Sequence, residues 1–94
     1  MRAMQNYSVR CSRPECGAPA LYKVAAAWSD GTTRELKTYY HSCAGCLRDH
    51  FRAAGVKQRL CRLTAGETLD SPGVYELASG AADHALARRR DLEV

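Results

Sequence analysis

Four of the chain's five cysteines fall into two short pairs, Cys11-x4-Cys16 and Cys43-x2-Cys46, and this spacing limits the fold more than any other feature. Thiols set this close come from a tight turn or from the start of a helix. Two such pairs brought together can surround one tetrahedral ion with sulfur at about 2.3 Å. Zn²⁺ is the expected ion, one per chain, with Cys11, Cys16, Cys43 and Cys46 as ligands. With all four positions taken by protein, none is left for substrate, so the metal is expected to be structural. Cys61 reads as a small buried residue outside the site.

A metal cross-link suits a chain of 94 residues, where one apolar core only marginally holds a fold. Of the 46% hydrophobic residues, fifteen positions are alanine and five are cysteine, so large apolar side chains are few. Metal binding of roughly 10–16 kcal/mol in small zinc modules rivals the stability of a whole domain. No apolar run nears the ~20 residues that cross a bilayer, and Met1–Asn6 lacks the apolar stretch of a secretory signal. The expectation is a cytoplasmic protein with no membrane association, in a reducing compartment that favours metal over disulfides.

The chain reads as one domain over residues 1–94, with a core at 11–55, an extension at 56–80 and a tail at 81–94. In Cys11-Ser12-Arg13-Pro14-Glu15-Cys16-Gly17, proline favours a bend and the glycine allows φ > 0, which turns backbone N–H groups toward sulfur. Residues 20–29 and 32–41 flank Asp30-Gly31, a two-residue hairpin signal that would set Tyr22 opposite Tyr39, Val24 opposite Lys37 and Trp28 opposite Thr33. From Cys43 the period changes: Leu47, Phe51 and Ala54 recur at helical spacing, with Ser42 as the expected N-cap and Gly55 as the expected stop. Short strands are expected at 57–64 and 74–77, and the tail is a short helix at most. Tyr7 and Val9 alternate well enough for a further short strand.

A cysteine knuckle, a β-hairpin and a Cys-x2-Cys entering a helix follow one another in treble-clef zinc fingers, and residues 11–55 resemble that superfamily. The resemblance implies an α+β, zinc-stabilised domain with Cys11, Cys16, Cys43 and Cys46 as ligands. It names no single function, because treble clefs serve many. The first pair is spaced by four residues where two is usual, and the 26 residues between the pairs lengthen the hairpin. A zinc ribbon would need the second pair on another hairpin turn, which the Leu47/Phe51/Ala54 spacing opposes.

The function expected is that of a small non-enzymatic binding module, with protein partnership or self-association through the hairpin edge ahead of nucleic-acid binding. Arg48, Arg52, Lys57, Arg59 and Arg62 are the candidate nucleic-acid contacts, with Tyr39, Tyr40 or Trp28 as stacking platforms. The formal charge of +4 argues weakly for this, since four thiolates and one Zn²⁺ would add −4 and +2, leaving +2. Arg88-Arg89-Arg90 form a second basic knot. Cys43/Cys46 as a thiol-disulfide pair is a remote alternative, without the βαβ context that such a motif needs. His50 reads as a surface or core histidine, although one turn beyond Cys46 it could replace a ligand. His41 reads as a residue that orients the site or pairs across the hairpin.

Overall fold

A computed structural model of the chain describes residues 9–77 and 86–93. Within them the protein is α+β: an antiparallel sheet, one α-helix and a four-cysteine cluster. Strand β1 (Tyr22–Ser29) is central, with β2 (Arg34–Ser42) on one side and β3 (Thr68–Leu69) and β4 (Gly73–Glu76) on the other. Helix α1 (Leu47–Leu60) packs against β1 and β2, and residues 87–89 extend β4 through bonds from Glu76 N–H to Ala87 O and Arg89 N–H to Val74 O. A short 3-10 turn follows at Arg90–Leu92.

The hairpin forms as the sequence predicts, but its register differs. Trp28 pairs with Glu35, Val24 with Tyr40 and Tyr22 with Ser42. The cause lies in the turn: Asp30 accepts the N–H groups of Thr32 at 2.9 Å and Thr33 at 2.7 Å, closing a four-residue loop in place of the two-residue one, with Gly31 at φ +94°. An aspartate that binds its own following backbone is a turn builder in its own right. A second shift, a bulge between Val24 and Ala25, leaves Tyr39 as the extra residue on β2. Both Tyr39 and Tyr40 thereby pack on the core, where strict alternation would separate them.

That core is small. Val24, Leu47, Ala54 and Val74 are buried together, with Tyr22, Tyr39, Tyr40, Phe51 and Leu92 packed around them. Fully burying an aliphatic side chain contributes roughly 1.5–3 kcal/mol, so three such side chains leave room for a metal to matter. Gly73, which pairs with Ala25, lies against the Arg88 guanidinium, whose Nε is 2.8 Å from where a Cβ on Gly73 would stand.

Three expectations about the segment after Cys43 are corrected. Gly55 does not end the helix, which continues to Leu60, and its φ is not in the left-handed region. The buried stripe explains this: Leu47, His50, Phe51, Ala54 and Gln58 follow one face, and the Gln58 amide reaches Leu69 O at 3.4 Å, outweighing the ~1 kcal/mol cost of a mid-helix glycine. Residues 57–60 are accordingly helical, not strand, and 61–64 have no regular structure. Ser42 is not the N-cap; it ends β2 and is fully buried, and Cys46 occupies the cap. The strand expected at 74–77 is β4. Tyr7, and the tail expectation over 81–85, lie outside the described residues.

Candidate metal centre

Cys11, Cys16, Cys43 and Cys46 each aim a sulfur at one point, and the four lie within 4.8 Å of one another. Cys16 and Cys43 Sγ are 3.6 Å apart. A tetrahedron with metal–sulfur bonds of about 2.3 Å has sulfur–sulfur edges of about 3.8 Å, so the spacing is that of a ligand cage. No disulfide joins any of the five cysteines.

Three elements converge to make this cage. The knuckle closes through Cys11 N–H to Ala18 O at 2.9 Å and Cys16 N–H to Arg13 O at 3.1 Å, and Gly17 takes φ +70° at its exit. The knuckle then docks sideways on the end of β2: Ser12 N–H donates to His41 O at 2.8 Å, and His41 N–H donates to Ser12 Oγ at 2.9 Å. Cys43 leaves the end of β2, and Cys46 caps α1, where His50 N–H makes the first helical bond to its carbonyl at 3.0 Å. Arg13 ties the knuckle to the helix through Asp49 at 3.0 Å on the exposed surface.

The thiols are poised unequally. The Cys46 N–H aimed at the Cys43 sulfur lowers that thiol to about 7, whereas the adjacent Cys43 and burial push Cys46 up to about 12. At Cys16 the Ala18 N–H pulls downward, but the Cys43 thiol and burial outweigh it and the group ends raised. Packed this closely, the cluster resists carrying four negative charges by itself. A divalent cation at its centre removes that repulsion and draws the protons off. The donor set, all sulfur and four in number, fits a structural metal.

Behind the cage lies a polar contact that the sequence reading left unassigned. The Ser42 hydroxyl donates to Cys43 O at 2.9 Å and sits 2.7 Å from His50 Nδ1. A hydroxyl has one proton, so Nδ1 carries the hydrogen of the second bond. Burial, with Arg13 assisting, lowers the His50 pKa. Its ring stacks on Tyr40 at 4.7 Å between centroids. His50 is thus a core histidine outside the sulfur cage. Its position three after Leu47 and four before Ala54 was the available signal, since that spacing puts it on the buried stripe.

The basic window does not stay together. Arg48, Arg52 and Arg59 are exposed on one flank of α1, within about 40° around the helix axis. Lys57 is drawn back over the Tyr40 ring, its Nζ 4.6 Å from the centroid, and Arg62 lines a shallow cleft with Trp28, Glu35 and Glu67. Tyr39 and Tyr40 are partly buried against the core, and the Tyr40 ring is stacked by His50. Arg88 and Arg89 are neutralised in place: Arg88 grips Glu93 with bonds of 2.8 and 3.0 Å, and Arg89 pairs with Glu76 and Asp91. Cys61 is half-buried, outside the cage, and receives Lys37 Nζ at 3.4 Å.

Among the described residues no helix is long and apolar enough to cross a membrane. Comparison with known proteins returns no match to any family model, curated protein or solved structure.

Proposed function

We propose that the chain is a small zinc-dependent binding module of treble-clef type, without catalytic activity, in which Zn²⁺ held by Cys11, Cys16, Cys43 and Cys46 joins knuckle, hairpin and helix. The observation that carries this reading is the four-thiol cage at the meeting point of those three elements. All-sulfur tetrahedral coordination is the preference of zinc, and a filled cage has no position open for chemistry. The order of knuckle, hairpin and helix supports the treble-clef assignment. A partner protein, or a second copy, is the binding target this reading favours, because β2 leaves a charged, exposed edge beside the metal-braced hairpin.

Nucleic acid is the second reading. It is favoured by Arg48, Arg52 and Arg59, which share one flank with no acidic partner among the described residues.

The test of the metal is direct. Chain purified without chelator should contain one equivalent of zinc, and chelation should abolish its far-UV and near-UV dichroism together, because metal binding and folding are one transition in such modules. Cys46→Ser should mimic chelation, while Cys61→Ser should keep full zinc content. A preparation with well under half an equivalent, or zinc lost on Cys61→Ser, would overturn the assignment.

A further inference from the structure

The outer edge of β2 is nearly bare. Among the described residues it is met at His41, where Ser12 makes the two bonds given above. From Arg34 to Thr38 no strand among the described residues lies along this outer edge. Asp30 N–H donates to Thr33 O at 3.2 Å, which sets the phase of the ladder. Alternation then turns the backbone groups of Arg34, Leu36 and Thr38 away from β1, toward the free side.

The run Arg34-Glu35-Leu36-Lys37-Thr38 is its own antiparallel complement. We propose that two copies of the chain associate by pairing these edges antiparallel, with Leu36 on the two-fold axis. The proposal rests on the interaction-module reading above and narrows its target to a second copy. With Leu36 at the centre, Glu35 stands opposite the partner subunit's Lys37, and symmetry repeats the pair on the other side. Arg34 stands opposite the partner subunit's Thr38. Side chains facing each other this way have Cβ atoms about 4.5–5.5 Å apart, close enough for opposite charges to attract and like charges to oppose.

Neighbouring registers fail on the same test. Residues with outward backbones must pair with one another, so the axis can move only by whole residues. One step back sets Glu35 against the partner subunit's Glu35, and one step forward sets Lys37 against the partner subunit's Lys37. A further step back opposes Arg34 to the partner subunit's Arg34. Among registers centred from Arg34 to Lys37, charge therefore selects one.

Apolar groups flank the same place on both faces. Leu36 is half-buried on one face, and its symmetry mate would cover it. On the other face Leu60 is 75% exposed and lines a groove with Lys37, Thr38 and Tyr39, next to the pairing residues. Pairing five residues along two edges buries less than the roughly 1,200 Å² of a stable complex, so the dimer is a weak, micromolar one. Lys37 is exposed, and its long contact with Cys61 is one it can exchange for the carboxylate.

Sedimentation velocity on the zinc-loaded chain, from low micromolar upward, reads the equilibrium, with zinc content and melting temperature measured on the same samples. A concentration-dependent monomer–dimer equilibrium is expected. Glu35→Lys and Lys37→Glu should each weaken the dimer by roughly tenfold or more, because both symmetry-related pairs become like-charged. The double swap should restore it, and mixing the two single variants should give a mixed dimer tighter than either alone. A wild-type chain that stays monomeric while folded and zinc-bound overturns the edge dimer and leaves the metal module standing. A dimer indifferent to both swaps also overturns it and moves self-association to another surface. Loss of zinc or of cooperative melting in the wild type defeats the module reading itself.

Discussion

Ser42→Ala removes one oxygen from a fully buried site and should cost far more than its size suggests. The hydroxyl joins the end of β2 to α1 through His50 Nδ1 at 2.7 Å and braces the Cys43 carbonyl at 2.9 Å, just as the chain enters the metal cage. Without it, His50 Nδ1 is left with its hydrogen and no acceptor, in a place water reaches poorly, since the histidine is 7% exposed. A buried donor stranded this way costs about 1–3 kcal/mol. In a chain of this size each kcal/mol shifts the melting temperature by about 4–8 °C, so a fall of roughly 5–20 °C is expected. Thermal denaturation of zinc-loaded protein, followed by far-UV dichroism, measures it; zinc content should not change. The companion variant Ser42→Ala/His50→Phe replaces both polar partners with apolar ones and should recover most of the loss, because the penalty belongs to the unpaired group. A single variant melting within a degree or two of wild type, or a double variant that recovers nothing, would refute the reasoning.

The other expectations are more local. His50 has a lowered pKa when folded, so the folded state binds fewer protons than the unfolded one; stability from this group is complete above its ordinary 6.5 and declines as pH falls below it. His50→Gln should flatten that part of the stability–pH curve, and since both chains share the four thiols, the difference between the curves isolates the histidine. At the other end of the sheet, burial pushes Glu93 up, but Arg88 and the Val74 N–H outweigh it and hold the carboxyl below its usual range. Glu93→Gln should therefore destabilise by about 1–2 kcal/mol at neutral pH, which urea titrations of the two zinc-loaded chains at pH 7 measure. Gly73→Val would drive a side chain into the Arg88 guanidinium and break the same clasp, and proteolysis should then remove the C-terminal residues faster than in wild type. If nucleic acid is bound through the helix flank, Arg48→Glu/Arg52→Glu should abolish binding with zinc retained, and log K should fall by about 0.7–0.9 per phosphate contact for each decade of salt.

Which parts of this protein could be read from its residues follows from how local their causes are. The thiol pairs, the hairpin and the start of the helix near Cys46 rest on short-range chemistry: ligand spacing, an aspartate-glycine turn, and apolar residues recurring every three or four positions. Each was legible, and the four cysteines indeed meet. The exact register was not, because Asp30 binds two following N–H groups to close a longer loop, and a bulge inserts Tyr39 where both tyrosines pack on the core. Gly55 looked like a terminator by its own propensity, yet packing of the stripe through Gln58 carried the helix one turn further. The arginines show the same division. Their clustering in sequence was plain, but only the fold decided that Arg88 and Arg89 meet carboxylates, that Lys57 lies over an aromatic ring, and that Arg48, Arg52 and Arg59 remain together. Sequence alone determined which atoms could hold a metal, since that depends on residue type and spacing. Tertiary structure decided what surrounds them, because burial and pairing join residues from different elements, as Arg13 with Asp49 and Lys57 with Tyr40.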